Sequence, residues 1–385
     1  MTETTPLLYY TPVYAVPKKQ CCSCSRIFCI VSVAVLTAII VLSLPYVPLS
    51  DSFLPIVSSS NYSVSPQQSP YGLLDVQCVG FASCNPNVSF NTSISDIFIE
   101  FQVRSNDPNC LEYLNYGITE NVPNQLSIYT KTTNPFRFSN PVEVWIFIHL
   151  PTSVTFNDFK MDAEVGRLRW FGDKSNPMKI SDFQVNTRAG SVGIFDVSTS
   201  QMDIHTAAGS VDIKDISSDT IKIISKAGSV KTDDITLTDL IDIDSRAGSI
   251  QLDVKFINSS KLQRLVKAKS SAGSVSGSVK HYLQTDVDSR AGSVNLSLKP
   301  LTDVTTETKV YSSAGSVHVK IDDYKGKFDI HSVTSSLKLH GKDIHVTESS
   351  GKFSNYRKIG YVGDGTSQST FTSDSLAGST RVKFD

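Results

Sequence analysis

Two closely spaced pairs of aspartates are the residues whose type and spacing could support chemistry. Asp233 directly precedes Asp234, and Asp242 and Asp244 follow in the same stretch. Paired carboxylates serve as general acid and base in glycoside hydrolysis when their separation suits the reaction. The competing interpretation is that they are solvated outward positions and turn residues, which the surrounding alternation of apolar and polar residues predicts. We favour the second, because no flanking pattern typical of polysaccharide-cleaving β-helices accompanies them.

The histidines, the glycine-rich stretch and the net charge give no further sign of catalysis. The seven histidines are scattered without metal-ligand spacing. The stretch "GYVGDGTSQ" near residue 360 is not followed by an evident helix that would cradle a phosphate, so we expect a loop. A net charge of −1 and a pI of about 6.7 argue against nucleic-acid binding. We therefore predict no enzyme, no cofactor, no metal and no nucleic-acid partner.

One uncharged segment predicts the membrane topology. Residues 27–44, "IFCIVSVAVLTAIIVLSL", are long enough to span a bilayer as a helix. Lys18, Lys19 and Arg26 precede the segment, so its N-terminal flank should stay in the cytoplasm. We predict a single-pass type II protein with a cytoplasmic tail at 1–26 and a transmembrane signal-anchor helix at 27–46. A cleaved signal peptide is the alternative, against which the long polar lead argues.

The predicted tail carries two short patterns that resemble sorting signals. Glu3, Leu7 and Leu8 match an acidic dileucine signal, and Tyr10 with Val13 matches a tyrosine signal. Coat adaptors bind such signals as extended peptides, with pockets for the apolar side chains. We therefore expect coat adaptors as partners and either a vacuolar or endosomal membrane or the cell surface as the location.

The cysteines fall into two groups. Four lie at the cytoplasmic border of the predicted span, where S-palmitoylation is favoured over a metal site: Cys21, Cys22, Cys24 and Cys29. Three lie beyond it: Cys78, Cys84 and Cys110. These permit one disulfide, and both Cys78–Cys84 and Cys84–Cys110 stay open because connectivity cannot be read from sequence.

N-glycosylation sequons occur only beyond the predicted span, which agrees with the predicted topology. The acceptor asparagines are Asn61, Asn87, Asn91, Asn258 and Asn295. We therefore predict a glycoprotein.

The tripeptide Ala-Gly-Ser occurs eight times and dominates the second half of the sequence. Its glycines are Gly190, Gly209, Gly228, Gly248, Gly273, Gly292, Gly315 and Gly378. A period near 20 residues indicates a repeat architecture. Before each glycine, alternate residues are mostly apolar or small, and after it the alternation resumes with a shifted phase, so each Ala-Gly-Ser predicts a bend between two strands. We expect glycine there because it accepts a positive φ at little cost.

Equivalent bends at equal intervals predict a parallel β-solenoid, in which like residues stack above like. Two residues before each alanine the column reads Thr187, Thr206, Ser225, Ser245, Ser270, Ser289 and Ser312. Inward hydroxyls stacked in this way can hydrogen-bond along the axis. A meander that closes as a sandwich or barrel is the alternative, and it gives no reason for one column of hydroxyls.

The rest of the chain is divided by composition. Residues 47–70 are rich in serine and proline and predict a stalk. Residues 71–150 predict a small β-rich region that leads into a solenoid at 151–385. Gly166 lies in a degraded copy of the repeat, and the copy with Gly378 closes the chain, so we expect both to cap the solenoid.

The repeats resemble the adhesin-like β-solenoid domains found in bacteria and some microbial eukaryotes. Units of the form S-x-A-G-S-V, entered after the strand "VWIFIHLP", carry the resemblance over roughly residues 140–385. That family has no assigned biochemical activity and supplies no catalytic residue. Together with the topology, the resemblance implies a non-enzymatic membrane glycoprotein with a structural or adhesive solenoid that binds a glycan or a protein. The alternatives are a polysaccharide-acting enzyme and a vacuolar or endosomal lumenal scaffold.

Overall fold

The computed structural model describes residues 54–66, 71–120, 124–133, 141–257, 263–334, 336–351 and 354–385. Leu54–Asp385 form one compact unit. Among the described residues, no helix has the length and hydropathy needed to span a bilayer. The predicted tail, the transmembrane helix at 27–46, the sorting signals and the palmitoylation candidates all lie outside the described residues.

The described chain is built from strands and one short 3₁₀ helix, Pro108–Tyr113. The strands are β1 (Ile56–Val64), β2 (Tyr71–Val79), β3 (Ser83–Asn91), β4 (Ile97–Ser105), β5 (Leu114–Thr119), β6 (Gln125–Thr132), β7 (Val142–Pro151), β8 (Phe156–Val165), β9 (Leu168–Phe171), β10 (Met178–Ala189), β11 (Val192–Ala208), β12 (Val211–Ala227), β13 (Val230–Ser245), β14 (Ile250–Phe256), β15 (Leu265–Ser270), β16 (Val275–Tyr282), β17 (Gln284–Ser289), β18 (Val294–Pro300), β19 (Glu307–Ser312), β20 (Val317–Ile321), β21 (Gly326–Ser332), β22 (Leu337–Gly341), β23 (Ile344–Ser350), β24 (Tyr356–Val362), β25 (Thr370–Ser375) and β26 (Thr380–Phe384).

Parallel pairing between residues about 19–25 positions apart stacks most of these strands into coils, which confirms the predicted all-β solenoid. Val185 pairs with Ile204, and Ile204 pairs with Ile223, each 19 residues further along the chain. The inward positions are therefore columns of like residues. One buried column reads Val185, Ile204, Ile223, Ile243, Ala268, Val287 and Val310. Burial of such columns is the main source of stability in a repeat fold.

Each regular coil has two long sides that meet at the Ala-Gly-Ser corner. We call the side before the corner side 1 and the side after it side 2. Side 1 contains β8, β10, β15, β17 and β19, and side 2 contains β9, β14, β16, β18 and β20. The long strands β11, β12 and β13 contribute to both sides.

The corner glycines are required by close stacking rather than by a positive φ, which corrects the sequence-based reason. Of the eight, only Gly190 has a φ in the left-handed region, at 154°. At Gly248, an added Cβ would meet the backbone carbonyl of Gly228 in the preceding coil and lie 2.7 Å from the Ser229 nitrogen. The same backbone contact recurs at the other repeats. The coils approach so closely at this corner that any side chain would push them apart.

The hydroxyl column ties each coil to the one before it through glycine carbonyls. The Ser245 hydroxyl donates to Gly248 O at 3.0 Å and to Gly228 O at 3.2 Å, in its own and the preceding coil. Ser289 repeats this with Gly292 O at 2.8 Å and Gly273 O at 2.9 Å. The predicted bonding along the axis therefore exists, with a carbonyl between successive hydroxyls. A leucine here would leave these buried carbonyls with fewer donors.

A second corner, which sequence analysis missed, is marked by aspartates in the left-handed region. Asp196, Asp215 and Asp234 have φ values of 58°, 54° and 52° and follow one another at 19-residue intervals. Asp303, Asp323 and Asp343 adopt the same conformation towards the C-terminal end. Aspartate tolerates this region better than most residues, so its recurrence at the repeat period was an available signal.

At the N-terminal end, paired strands lie on both sides of the predicted boundaries at residues 70 and 150. β2 and β3 form a coil that pairs in parallel with β8 and β9 on one side and with β6 and β7 on the other. Most of 71–150 is therefore part of the solenoid. Within the predicted stalk, Ile56–Val64 form β1, an edge strand antiparallel to β4. An exposed edge strand accommodates serines, so a serine-rich composition is compatible with a strand as well as with a stalk.

The three described cysteines lie at this end of the stack. Cys78 and Cys84 form a disulfide across the turn between β2 and β3, and Cys110 is a buried free thiol. Gly166 lies in the corner column, where an added Cβ would meet the Cys84 carbonyl. The degraded copy around Gly166 therefore belongs to an internal coil, since the disulfide-bridged coil lies beyond it.

At the C-terminal end, the last copy of the repeat is also internal. β25 pairs with β19 on one edge and with β21 on the other, and β26 lies between β20 and β22 in the same way. The chain passes outward to form β21 and β22, makes the antiparallel pair β23–β24, and returns to insert its final coil. The copy with Gly378 therefore does not cap the stack, although it occupies the predicted corner.

Candidate binding surfaces

The paired aspartates do not converge on one groove. Asp242 and Asp244 lie on side 1, where they pair with Lys267 and Lys269 of the next coil. Asp233 lies on side 2, where its carboxylate is 3.4 Å from the Lys214 ammonium group. Because the two pairs face different sides, they do not form an acid–base site. Among the described residues, no group of three or more histidines, cysteines or carboxylates could hold a metal ion.

The outward row on side 1 is a charge ladder that neutralises itself. In register from coil to coil it reads Asp203, Lys222, Asp242, Lys267, Asp286 and Lys309. Opposite charges directly across paired strands each contribute roughly 0.2–1 kcal/mol. Every charge of the ladder has an opposite charge beside it in an adjacent coil. The ladder therefore stabilises the register of the paired strands and leaves little net charge for a ligand.

The outward surface of side 2 differs at the C-terminal end, where three adjacent strands carry only basic side chains. β20 contributes His318 and Lys320, β26 contributes Arg381 and Lys383, and β22 contributes Lys338 and His340. All six are exposed. We call these six residues the basic face.

The register arranges the basic face as two rows of three. His318 pairs with Arg381, which pairs with Lys338, and Lys320 pairs with Lys383, which pairs with His340. Residues in one row are therefore about 4.8 Å apart along the stack. Arg381 lies at the centre of its row, flanked on both sides by basic neighbours.

Carboxylates reach only one edge of the basic face within the described part of the chain. Lys320 lies 2.7 Å from Asp322 and 3.3 Å from Asp385, and Lys383 lies 2.7 Å from Asp385. The hydrogen bonds that the Lys320 ammonium group donates to Asp322 and Asp385 raise the pKa of Lys320. The row around Arg381 has no ion pair with a described residue. That row is the part of the surface best able to bind an anion, because it retains its charge.

A second unusual surface lies on side 2 at the N-terminal end, where outward positions carry aromatic rings. We call this set the aromatic face: Phe98, Trp145, Phe147, His149, Phe171 and Phe195. Phe171 is 42% exposed, and the others are half-buried. Trp145 and Phe147 lie nearly parallel, at an interplanar angle of 17° and a centroid distance of 6.2 Å. Phe171 and Phe195 stack at 5.3 Å.

The described glycosylation candidates differ in their surroundings. Asn61 is exposed on β1, and Asn91 is exposed at the end of β3. Asn295 is exposed on β18, in register with His318 of the basic face. Asn87 is half-buried on β3, beside the aromatic face. Asn258 lies outside the described residues.

The sequence predicts neither surface. The alternation of Trp145, Phe147 and His149 in "VWIFIHLP" was an available signal for part of the aromatic face, whereas the basic face has no local signal. The basic residues occur in "VHVKI", "LKLHG" and "TRVKF", which lie far apart along the chain. Each stretch shows ordinary alternation of apolar and basic residues. Only the insertion of β26 between β20 and β22 brings them onto one surface.

The amino-acid sequence matches a family model described as Toastrack DUF4097 over residues 115–355. The chain belongs to this family. The match covers most of the predicted solenoid and part of the region before it. Comparison with curated protein sequences gives no match.

The Toastrack chain also has distant likeness to solved structures. A proposed adhesin from Parabacteroides distasonis is 11% identical, with 85% of this chain and 96% of that chain covered and a TM-score of 0.38. A proposed lipid binding protein from the same species is 12% identical over 85% and 96% of the two chains, with a TM-score of 0.33. A proposed adhesin from Parabacteroides merdae is 10% identical over the same shares, with a TM-score of 0.30. Likenesses this distant carry no information about function.

Proposed function

We propose that this Toastrack protein is a non-enzymatic, single-pass membrane glycoprotein whose solenoid binds an anionic glycan on the basic face. The observation that carries the proposal is the row His318, Arg381 and Lys338, in which Arg381 and Lys338 form no ion pair with a described residue, whereas the charges of the ladder on side 1 alternate in sign. An adhesin-like solenoid of this kind acts by presenting a rigid surface, since its side chains are held in register by the stacked backbone.

A linear anionic glycan fits the basic face better than a compact ligand. The face is an exposed sheet surface rather than a pocket, and its charges recur along the stack at about 4.8 Å. Arginine can bind a carboxylate or sulfate group with two parallel hydrogen bonds, and lysine adds a compact charge beside it. A protein with an acidic segment is the alternative ligand. Failure of the wild type to bind either polygalacturonate or heparin would leave that alternative.

Binding measurements with neutralised variants test the basic face. Arg381→Gln and Lys338→Gln should each weaken binding of polygalacturonate or heparin about tenfold, because a charge-assisted hydrogen bond contributes about 1.5 kcal/mol. Lys231→Gln is the matched control, because Lys231 is exposed in the same outward row several coils away. Equal loss in the control, or no binding of either glycan by the wild type, would contradict the proposal.

The membrane topology and the subcellular location are proposed from the sequence. The anchor at 27–46 would leave the solenoid outside the cytoplasm, and the cysteines at its border would carry palmitate. The tail would bind coat adaptors through Leu7 and Leu8, which favours a vacuolar or endosomal membrane over the cell surface. A C-terminally tagged wild type should be found in that compartment, and a Leu7→Ala/Leu8→Ala variant should reach the cell surface. If both reach the surface, the tail is not a working signal.

A further inference from the structure

We infer that the aromatic face is covered by the chain's own N-linked glycan, attached at Asn87. The inference rests on the proposed function, because it requires the residues after the anchor to enter the compartment in which asparagines are glycosylated. The inference goes beyond the proposed function, because it assigns one sequon to one surface and gives the attached sugar a structural role.

Asn87 lies inside the sheet and not in a loop. β3 pairs with β7 on one edge and with β9 on the other, which places Asn87 directly between Phe147 and Arg169. Paired residues of parallel strands point to the same side of the sheet and lie about 4.8 Å apart. The first sugar on the Asn87 amide would therefore lie against the Phe147 ring.

The neighbouring rings are held in place. Trp145 pairs with Asn85, two residues before the sequon asparagine on the same strand. Its indole Nε1 donates to Glu143 Oε2 at 3.0 Å, and the Arg104 guanidinium lies 5.3 Å from the ring centroid. A ring fixed in this way offers a stable surface, because little side-chain entropy remains to be lost when a sugar packs on it.

The serine of the same sequon also contacts the aromatic face. The Ser89 hydroxyl lies 2.9 Å from His149 Nδ1, and Ser89 pairs with both His149 and Phe171. Asparagine and serine of one sequon thus project beside rings of two strands, β7 and β9. The first sugar would be bordered by Phe147 on the β7 flank and by Arg169 on the β9 flank, with Phe171 two residues further along β9.

Outward aromatic rings need an explanation, because the corresponding positions further along side 2 are polar. In register after Arg169 come Gly193, Asp212, Lys231, Gln251, Ser276 and Asn295. A cluster of half-exposed rings marks a surface that something covers. The C–H faces of a sugar ring are apolar and lose water when they pack on an aromatic ring. The attached glycan is the occupant that the sequence itself supplies at the centre of the cluster.

Asn295 is a matched control sequon. It lies on the same side of the sheet as Asn87, also at an outward position of a strand paired on both edges. Its neighbours in register are Ser276 and His318, and no ring of the aromatic face lies beside it. A glycan on Asn295 would therefore be attached in the same way without packing on that face.

Occupancy of the sequons is the first test. The full chain is expressed in a eukaryotic secretory host, and each asparagine is scored by peptide mass spectrometry after enzymatic glycan release. We expect Asn87 to be occupied together with the exposed Asn61 and Asn295. If the others are occupied and Asn87 is not, the inference is overturned while the proposed topology stands, and the aromatic face is left for an external ligand or a second copy. If no sequon is occupied, the topology and the inference both fail.

Quenching of tryptophan fluorescence tests the packing itself. The chain has two tryptophans, and Trp170 is fully buried, so a soluble quencher such as acrylamide reaches Trp145 alone. Covering one face of the Trp145 ring should about halve its accessible surface, so Asn87→Gln should raise the quenching constant about twofold. Asn295→Gln should leave it unchanged. Equal quenching of the wild type and Asn87→Gln would show that the glycan extends into solvent, which would overturn the inference even if Asn87 is occupied.

Discussion

Substitution of a corner glycine gives the most direct test of why Ala-Gly-Ser recurs. In Gly248→Ala, the new Cβ would meet the Gly228 carbonyl and lie 2.7 Å from the Ser229 nitrogen, whereas real Cβ atoms do not approach a non-bonded atom within 3.0 Å. Both neighbours are backbone, so neither can rotate away. Relief requires two coils to separate by several tenths of an ångström at the corner.

The expected loss of stability follows from what that separation breaks. Overpacking of a rigid interior costs about 1–3 kcal/mol. The Ser245 hydroxyl also spans the same two coils through Gly228 O at 3.2 Å and Gly248 O at 3.0 Å. Weakening these bonds adds about 1 kcal/mol. We therefore expect Gly248→Ala to lower the free energy of unfolding by about 2–4 kcal/mol, measured by urea denaturation.

Two further variants show whether close stacking is the cause. Gly248→Asn tests the competing explanation, because asparagine tolerates a positive φ but still carries a Cβ. It should be at least as unstable as Gly248→Ala. Gly117→Ala is the matched control in a strand, since its Cβ would meet only the movable Tyr129 hydroxyl at 3.3 Å. The reasoning would be refuted if Gly248→Ala were as stable as the wild type, or if asparagine restored stability that alanine loses.

Three other changes probe separate parts of the stack. Ser245→Ala should cost about 1–3 kcal/mol in urea denaturation, because it removes the acceptor of the buried Gly248 N–H and one of the two hydroxyl donors to each neighbouring glycine carbonyl; a cost near zero would contradict the role of the hydroxyl column. Burial raises the pKa of Asp196, and the charge of Asp215 raises it further. The ionised Asp196 carboxylate therefore lowers the free energy of unfolding at neutral pH. This loss disappears as the pH falls through the raised pKa and the carboxylate becomes protonated. Asp196→Asn keeps a residue that tolerates φ of 58° and should raise the melting temperature at pH 7 with a smaller gain towards pH 4; unchanged melting at both pH values would contradict this assignment. Asp242→Lys places three like charges in a row of the ladder and should lower stability by about 1 kcal/mol in low salt and less in high salt, whereas a salt-independent effect would show that charge is not the cause.

The regular part of the fold was predictable from the sequence because the repeat reports on it directly. Period-two alternation, the column from Thr187 to Ser312 and the recurrence of the glycines at intervals near 20 residues each follow from stacking one coil on the next. The physical reason for glycine was not predictable in the same way. Glycine is expected both where the backbone needs a positive φ and where two backbones approach closely. Only the position of Gly228 beside Gly248 in the preceding coil distinguishes these two explanations.

The two ends of the solenoid could not be predicted, because there the order of strands in space departs from the order in sequence. Cys78 and Cys84 occupy the corner of a coil that contains no Ala-Gly-Ser, so the repeat gave no signal for it. The strand with Arg381 is the last in the chain but lies between two earlier ones. The basic face does not exist as a local pattern, since it is assembled from three separate strands. The aromatic face is local only in part, because Trp145, Phe147 and His149 alternate along β7 and its other rings come from other strands.

Site-resolved modification of lysines tests the central claim, that the solenoid binds an anionic glycan through the basic face. The protein is acetylated briefly with and without polygalacturonate, and each lysine is quantified by peptide mass spectrometry. The account predicts that the glycan protects Lys338 and Lys383, whereas Lys222 and Lys267 of the charge ladder react equally in both samples. Protection of the ladder lysines in place of those on the basic face would contradict the account.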